Sequence, residues 1–150
     1  MPVDFAFKKV PKYRAASIAW KGAWSDRSVH AHFLKVAKWA AARHLRTGKW
    51  IFREPDERSF EVAIEVKGGG PSGAGVRVKT FRAATVASVV FDPRVVSPRI
   101  VYHGLYDFLR WRKREHDIRS IGDYREVYDG DPWKDPRAYA RTEIQVVVRK

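Results

Sequence analysis

Cysteine is absent from the chain, which excludes disulfides, thiolate zinc sites and a cysteine nucleophile. Long apolar runs are absent too. No stretch approaches the roughly 18 residues of a membrane-spanning helix, and the opening MPVDFAFKKVPKYR breaks with charges what would be the apolar core of a secretory leader. The chain therefore reads as cytoplasmic, with no membrane partner. The run Gly68-Gly69-Gly70 lacks the Lys-Ser/Thr that completes a phosphate loop. Of the five histidines, His30 and His32 stand two apart on a predicted helix and point apart, and no carboxylate joins any pair at ligand spacing. Neither a metal nor a cofactor is expected.

Acidic side chains are scarce relative to basic ones: 17 Asp and Glu face 30 Lys and Arg, a net charge of +13. Such a surplus raises nucleic acid as a partner. Its distribution argues the other way, with 13 basic against 7 acidic residues before Lys67 and 16 against 10 after it. A dedicated basic arm would be lopsided; this surplus is spread. The densest cluster, Arg110, Arg112, Lys113 and Arg114 around Trp111, points in several directions on a helix and reads as a solvated face.

What the chain does have is enough apolar material for one domain over residues 1–150, with 45% hydrophobic residues, eight Phe, six Tyr and six Trp. The punctuation at residues 67–75, Lys-Gly-Gly-Gly-Pro-Ser-Gly-Ala-Gly, predicts a linker between two halves. In the first half, strands are predicted at 5–10 and 15–20. A helix follows, capped by Ser25 or Asp26, with Val29, Phe33, Val36, Ala37, Ala40 and Ala41 on one face. Gly48 is expected to end that region, residues 50–53 to form a short strand, Glu54-Pro55-Asp56 to turn, and 60–66 to form an alternating strand. The second half predicts strands at 76–81 and 85–91, then a helix from Ser97-Pro98 with Val101, Leu105, Phe108 and Leu109 inward. Gly122 is expected as a terminator, followed by strands at 124–128 and 142–148 about an Asp129-Gly130-Asp131-Pro132 turn.

The halves match in order: Tyr13-Arg14-Ala15-Ala16 with Phe81-Arg82-Ala83-Ala84, Lys38-Trp39 with Arg110-Trp111, and the strand from Phe60 with the strand from Thr142. Fold class is therefore expected to be α+β, with duplicated strand-helix-strand-strand (SHS2-type) units, residues 3–66 and 76–150, related by a pseudo-twofold axis around a central cleft. Trp39 and Trp111, as equivalent positions, are both expected to pack structurally.

Candidate function centres on one strand. Alternation puts Tyr124, Glu126 and Tyr128 on one face and Arg125 and Val127 on the other, so a carboxylate is flanked by two phenols. The matching strand of the first half offers Trp50 and Phe52 on a shared face. Together they describe an aromatic box with one acid, suited to a cation through charge and cation–π contact. An isolated strand Glu is otherwise an ion-pair partner for a neighbouring base. Trp20 and Trp24 flank a turn and serve either pocket or core, and Tyr106, with Tyr102 one helical turn before it, serves either cleft or core.

The run Gly122-Asp123-Tyr124-Arg125-Glu126-Val127-Tyr128 with Asp131-Pro132, followed by Thr142-Glu143-Ile144, resembles the carboxy-terminal signature of the GyrI-like domains, effector-binding modules of multidrug-responsive bacterial regulators that also occur alone. Trp20-Lys21-Gly22-Ala23-Trp24 is similar to that family's turn before the first helix. The second-half turn departs from the pattern, with Asp92-Pro93-Arg94 where Gly-Pro is usual. The resemblance implies that Glu126 is the pocket carboxylate and that the chain is a stand-alone binder of aromatic, cationic small molecules, for sensing or sequestration. Two other functions stay open: a hydrolase of reactive electrophiles, with Glu126 as the catalytic residue, and a partner of DNA gyrase or of nucleic acid acting through the basic surface.

Overall fold

The computed structural model describes residues 4–68 and 72–150. Val3, the first residue of the expected first repeat, and 69–71, the centre of the expected linker, lie outside the described residues. Chain order is β1 (Ala6–Val10), β2 (Tyr13–Lys21), α1 (Asp26–Ala42), β3 (Arg46–Asp56), β4 (Ser59–Lys67), β5 (Arg77–Phe81), β6 (Ala84–Phe91), α2 (Pro98–Arg112), β7 (Ser120–Tyr128), α3 (Pro136–Ala140) and β8 (Thr142–Arg149).

All eight strands form one antiparallel sheet in the order β1-β6-β8-β7-β3-β4-β2-β5. Exchanging the halves reverses that order onto itself, with β3 and β7 at the centre and each half's first strand paired to the other half's second strand. The connections then dictate shape. β1 and β2 lie six positions apart, about 29 Å across a flat sheet. The link through Pro11 and Lys12 spans only three Cα steps, at most about 11 Å. The same conflict holds for β5 and β6, linked through Arg82 and Ala83. The sheet must curl to satisfy both.

Its two faces differ accordingly. On the outer face α1 covers Val62, Ile64 and Trp50 with Phe33, Val36 and Trp39, and α2 covers Val89, Ile144 and Val146 with Val101, Leu105 and Leu109. Inside the curl, Ala15, Ile51, Ala63, Phe81 and Val127 bury one another with no helix over them. The helices thus leave the β3–β7 seam between them, and that gap positions the site.

Helix signals behave as expected at the start of α1, where Ser25 and Ser28 exchange hydrogen bonds in a capping box. Its end differs from expectation. Leu45 N–H donates to the Ala40 carbonyl and His44 N–H to that of Ala41, with His44 at φ +54°, so a Schellman turn stops the helix without glycine. Gly48 instead sits inside β3, where a Cβ would collide with the Glu65 carboxylate. Gly122 likewise lies inside β7, where a Cβ would press on the Val147 side chain at 3.1 Å. Glu54-Pro55-Asp56, expected as a turn, continues β3. Both glycines mark close approach between neighbouring strands, which local sequence does not distinguish from termination. Trp39 is buried, but Trp111 at the matching position is 81% exposed. Trp39 belongs to the core cluster under α1, with the Arg43 guanidinium over its ring, whereas α2 ends one residue after Trp111.

Candidate functional site

The central seam sets the geometry. Pairing of β3 with β7 places Trp50 opposite Tyr128, Phe52 opposite Glu126 and Glu54 opposite Tyr124. All six share the outer face, since the pleat alternates. Tyr124 donates its phenol hydrogen to Glu126 Oε1 at 2.9 Å, and Tyr128 donates to Oε2 at 2.7 Å. Burial, and after it the Glu126 charge, push both phenols far above the ordinary tyrosine range. They therefore keep their protons and hold the carboxylate in place, while each oxygen retains a further acceptor site.

Over this seam lies a cavity of about 440 Å³. β3 and β7 supply its floor with Phe52, Glu54, Tyr124, Glu126 and Tyr128. The start of α1 supplies Trp24 and Asp26, and the stretch around α3 supplies Pro132, Trp133 and Tyr139. Trp133 stacks on His30 of α1 at 4.4 Å between ring centroids, and Asp131 lies 3.4 Å from the His30 imidazole, which ties that stretch to the helix. Among the described residues three carboxylates line the cavity, and no Lys, Arg or His lines it. Burial, together with the Glu126 charge, raises the Glu54 carboxyl above its ordinary range.

Of the residues singled out in the sequence, Glu126, Tyr124, Tyr128, Phe52 and Trp24 come together here. Trp50, Trp20 and Tyr106 do not line the cavity. Trp50 shares the face of Phe52, but Phe33 of α1 stacks over it at 5.0 Å and seals it into the core. Trp20 lies flat on His32 at 4.3 Å, and its Nε1 donates to the Ala23 carbonyl. Tyr106 packs beside Tyr102 against the α2 core, and burial raises its phenol. Glu54, Asp26, Trp133 and Tyr139 were missed. Extending the alternation Trp50, Phe52 by one step would have found Glu54; the Pro55 beside it suggested a turn instead. Among the described residues no group of three or more His, Asp or Glu is placed to hold a metal ion, and no helix is long and apolar enough to cross a membrane.

A curled antiparallel sheet with helices on one face and an acid-bearing aromatic cavity over its central seam defines a small-molecule-binding class of α+β domain. The chain belongs to the GyrI-like family: the GyrI-like small molecule binding domain matches residues 3–149. No curated protein matches the chain by sequence. Among solved structures, the EcmrR C-terminal domain aligns over 100% of this chain and 99% of its own at a TM-score of 0.70 and 18% identity. A hydrolase encoded by lin2189 from Listeria innocua aligns over 97% and 91% at 0.56 and 10%. SAV2435 bound to tetraphenylphosphonium aligns over 97% and 94% at 0.50 and 12%. At these identities the likeness is one of fold.

Proposed function

We propose that the protein captures aromatic cations in the cavity over the β3–β7 seam, for sensing or sequestering xenobiotic compounds. One observation carries this reading: in a chain of net charge +13, the cavity is lined by Asp26, Glu54 and Glu126 and by no base. A protein surface this basic repels cations at long range. Affinity must then come from within the cavity, where low-dielectric aromatic walls strengthen each carboxylate's attraction and add cation–π contact of about 0.5–2 kcal/mol. The tetraphenylphosphonium held by SAV2435 is a ligand of the chemistry these walls suit. The end-for-end symmetry of the strand order supports reading the halves as SHS2-type repeats, with the seam at their junction; superposing residues 4–66 on 76–148 is the check.

Replacing Glu126 by Gln keeps its shape and removes its charge. A cationic dye should lose about 1.5–3 kcal/mol of binding, the worth of a charged hydrogen bond, and a neutral dye of equal size much less. Equal losses, read by fluorescence titration, would assign Glu126 to the fold.

The hydrolase reading uses the same carboxylate. Each Glu126 oxygen accepts one phenol hydrogen and keeps a second acceptor site, open to a cationic ligand or to a water. Mass spectrometry of electrophilic aromatic compounds incubated with the protein separates the two: product formation abolished by Glu126→Gln would make it an enzyme. Nucleic acid as partner rests on the charge surplus alone, and gyrase on that surplus together with the family resemblance.

A further inference from the structure

We propose a second binding site, on the opposite face of the sheet, for a compact, multiply charged oxyanion: phosphate or pyrophosphate, free or at the end of a phosphate ester. Where the β1–β2 link crosses the mouth of the curl, a separate cavity of about 260 Å³ is lined by Lys8, Lys9, Lys12 and Lys49 together with Tyr13 and Glu65. Glu65 is the single acidic residue lining it beside four lysines. Lys8 turns inward to Glu143, and Lys9, on the parity of Phe7, turns to the outer face. Lys8, Lys12 and Lys49 thus carry the site, the reverse of the cavity over the seam.

The local ion pairs do not neutralise this end. Lys8 reaches Glu143 at 2.6 Å, and Lys49 stands 4.0 Å from Asp129 with both side chains half exposed, a distance and exposure that count for little. Lys9 and Lys12 form no ion pair among the described residues. Burial, the largest influence, raises the Tyr13 phenol and outweighs the lowering by Arg125 and Arg53, so it stays a donor.

A second observation lies deeper in the same curl. Val127 and Gln145 form part of the cavity wall. Arg125 is two residues from Val127 on the same strand and face, and it pairs across the sheet with Gln145. Its side chain is 7% exposed; its Nε donates to Asp123 at 2.8 Å, but its Nη1 is buried with no acceptor among the described residues. A buried guanidinium nitrogen without a partner is costly, and this one lies one step of the pleat deeper than the cavity wall at Val127. Elsewhere in the curl the charges are matched, with Glu61 taking both Arg53 and Lys79. Lysine point charges with a protonated phenol suit a multivalent oxyanion, and a cavity of this size excludes a nucleic-acid duplex.

The test is calorimetric titration of pyrophosphate at constant ionic strength into the wild type and into Lys12→Gln/Lys49→Gln. Both lysines are exposed, so the variant folds, and its retained affinity for a cationic dye verifies that. One saturable site in the wild type, weakened by about tenfold for each lysine removed, is the expected result. ATP binding with the same lysine dependence would point to phosphate esters, and pyrophosphate alone to the free anion; either supports the site. Heats no larger than those of matched sodium chloride, or affinity unchanged in the variant, would overturn it. So would tighter, steeply salt-dependent binding of a short DNA duplex that needs the same two lysines, because it would make this a nucleic-acid surface.

Discussion

The two cavities lie on opposite faces of one curled sheet and carry opposite charge. The outer one holds three carboxylates among aromatic rings; the inner one is lined by Lys8, Lys12 and Lys49, with Lys9 at its edge, and by a single acidic residue. A single strand contributes to both, since β7 turns Tyr124, Glu126 and Tyr128 outward and Asp123, Arg125 and Val127 inward. The contrast shows how little a net charge says about a site. At +13 the chain as a whole resembles a polyanion binder, yet the pleat sorts its charges by residue parity into compartments with separate chemistry.

The sharpest way to break the comparison is through the ion network that fills the inside of the curl. Asp123 accepts from Arg53 Nε at 2.7 Å and from Arg125 Nε at 2.8 Å. Burial opposes its charge, but those two guanidinium groups outweigh it and hold the carboxyl below the ordinary range. Replacing Asp123 by Ala leaves the buried Arg125 guanidinium without its ion-pair partner and Arg53 with Glu61 alone, and should cost about 3–5 kcal/mol in urea unfolding, with binding of a cationic dye over the seam kept under native conditions. A depressed folded pKa contributes stability that is present above the unfolded value of about 3.9 and is lost as pH falls through the folded value. The wild type should therefore lose stability more steeply than Asp123→Asn on acidification below about pH 4.

A comparison of the two halves carries nearly as large an effect. Trp39 and Trp111 stand at the same position along α1 and α2, but only Trp39 is covered, with the Arg43 guanidinium 4.2 Å above its ring. Trp39→Ala should cost about 3–5 kcal/mol, and Trp111→Ala less than about 0.5 kcal/mol, by the same denaturation measurement. Comparable losses would mean that Trp111 is covered in solution by something other than this domain's own core.

Glu54 supplies the smallest effect and the most diagnostic. Its raised carboxyl pKa means that its charge opposes folding once pH rises through the unfolded value, and fully so above the folded value. Glu54→Gln should accordingly raise the melting temperature slightly at neutral pH, leave it unchanged in acid, and weaken a cationic dye by less than Glu126→Gln does. A variant that loses stability at neutral pH would show that Glu54 has a structural partner instead.

Local pattern made much of this legible. Alternation alone put Tyr124, Glu126 and Tyr128 on one face, and helical spacing identified Phe33, Val36, Val101 and Leu105 as inward, because both are properties of a single element's geometry. What failed was everything that depended on a second element. Gly48 and Gly122 looked like terminators because the side chains that require their smallness, Glu65 and Val147, belong to neighbouring strands. Trp50 looked equal to Phe52, and only the docking of α1, which lays Phe33 over one and not the other, separated core from cavity.

By itself, then, the amino-acid sequence determined the eight strands and two long helices, their order, and the acid between two phenols, whereas the five-residue α3 was not expected. Tertiary structure alone decided that β1 and β2, joined by two residues, stand six strands apart, and hence that the sheet curls and owns an interior. It also decided that Glu54 and Asp26 join Glu126 while thirty basic side chains stay out of that cavity. The physical reason is that a strand's periodicity assigns a side chain to a face, whereas the strand's neighbours and the curvature of the sheet assign that face to solvent, core or cavity.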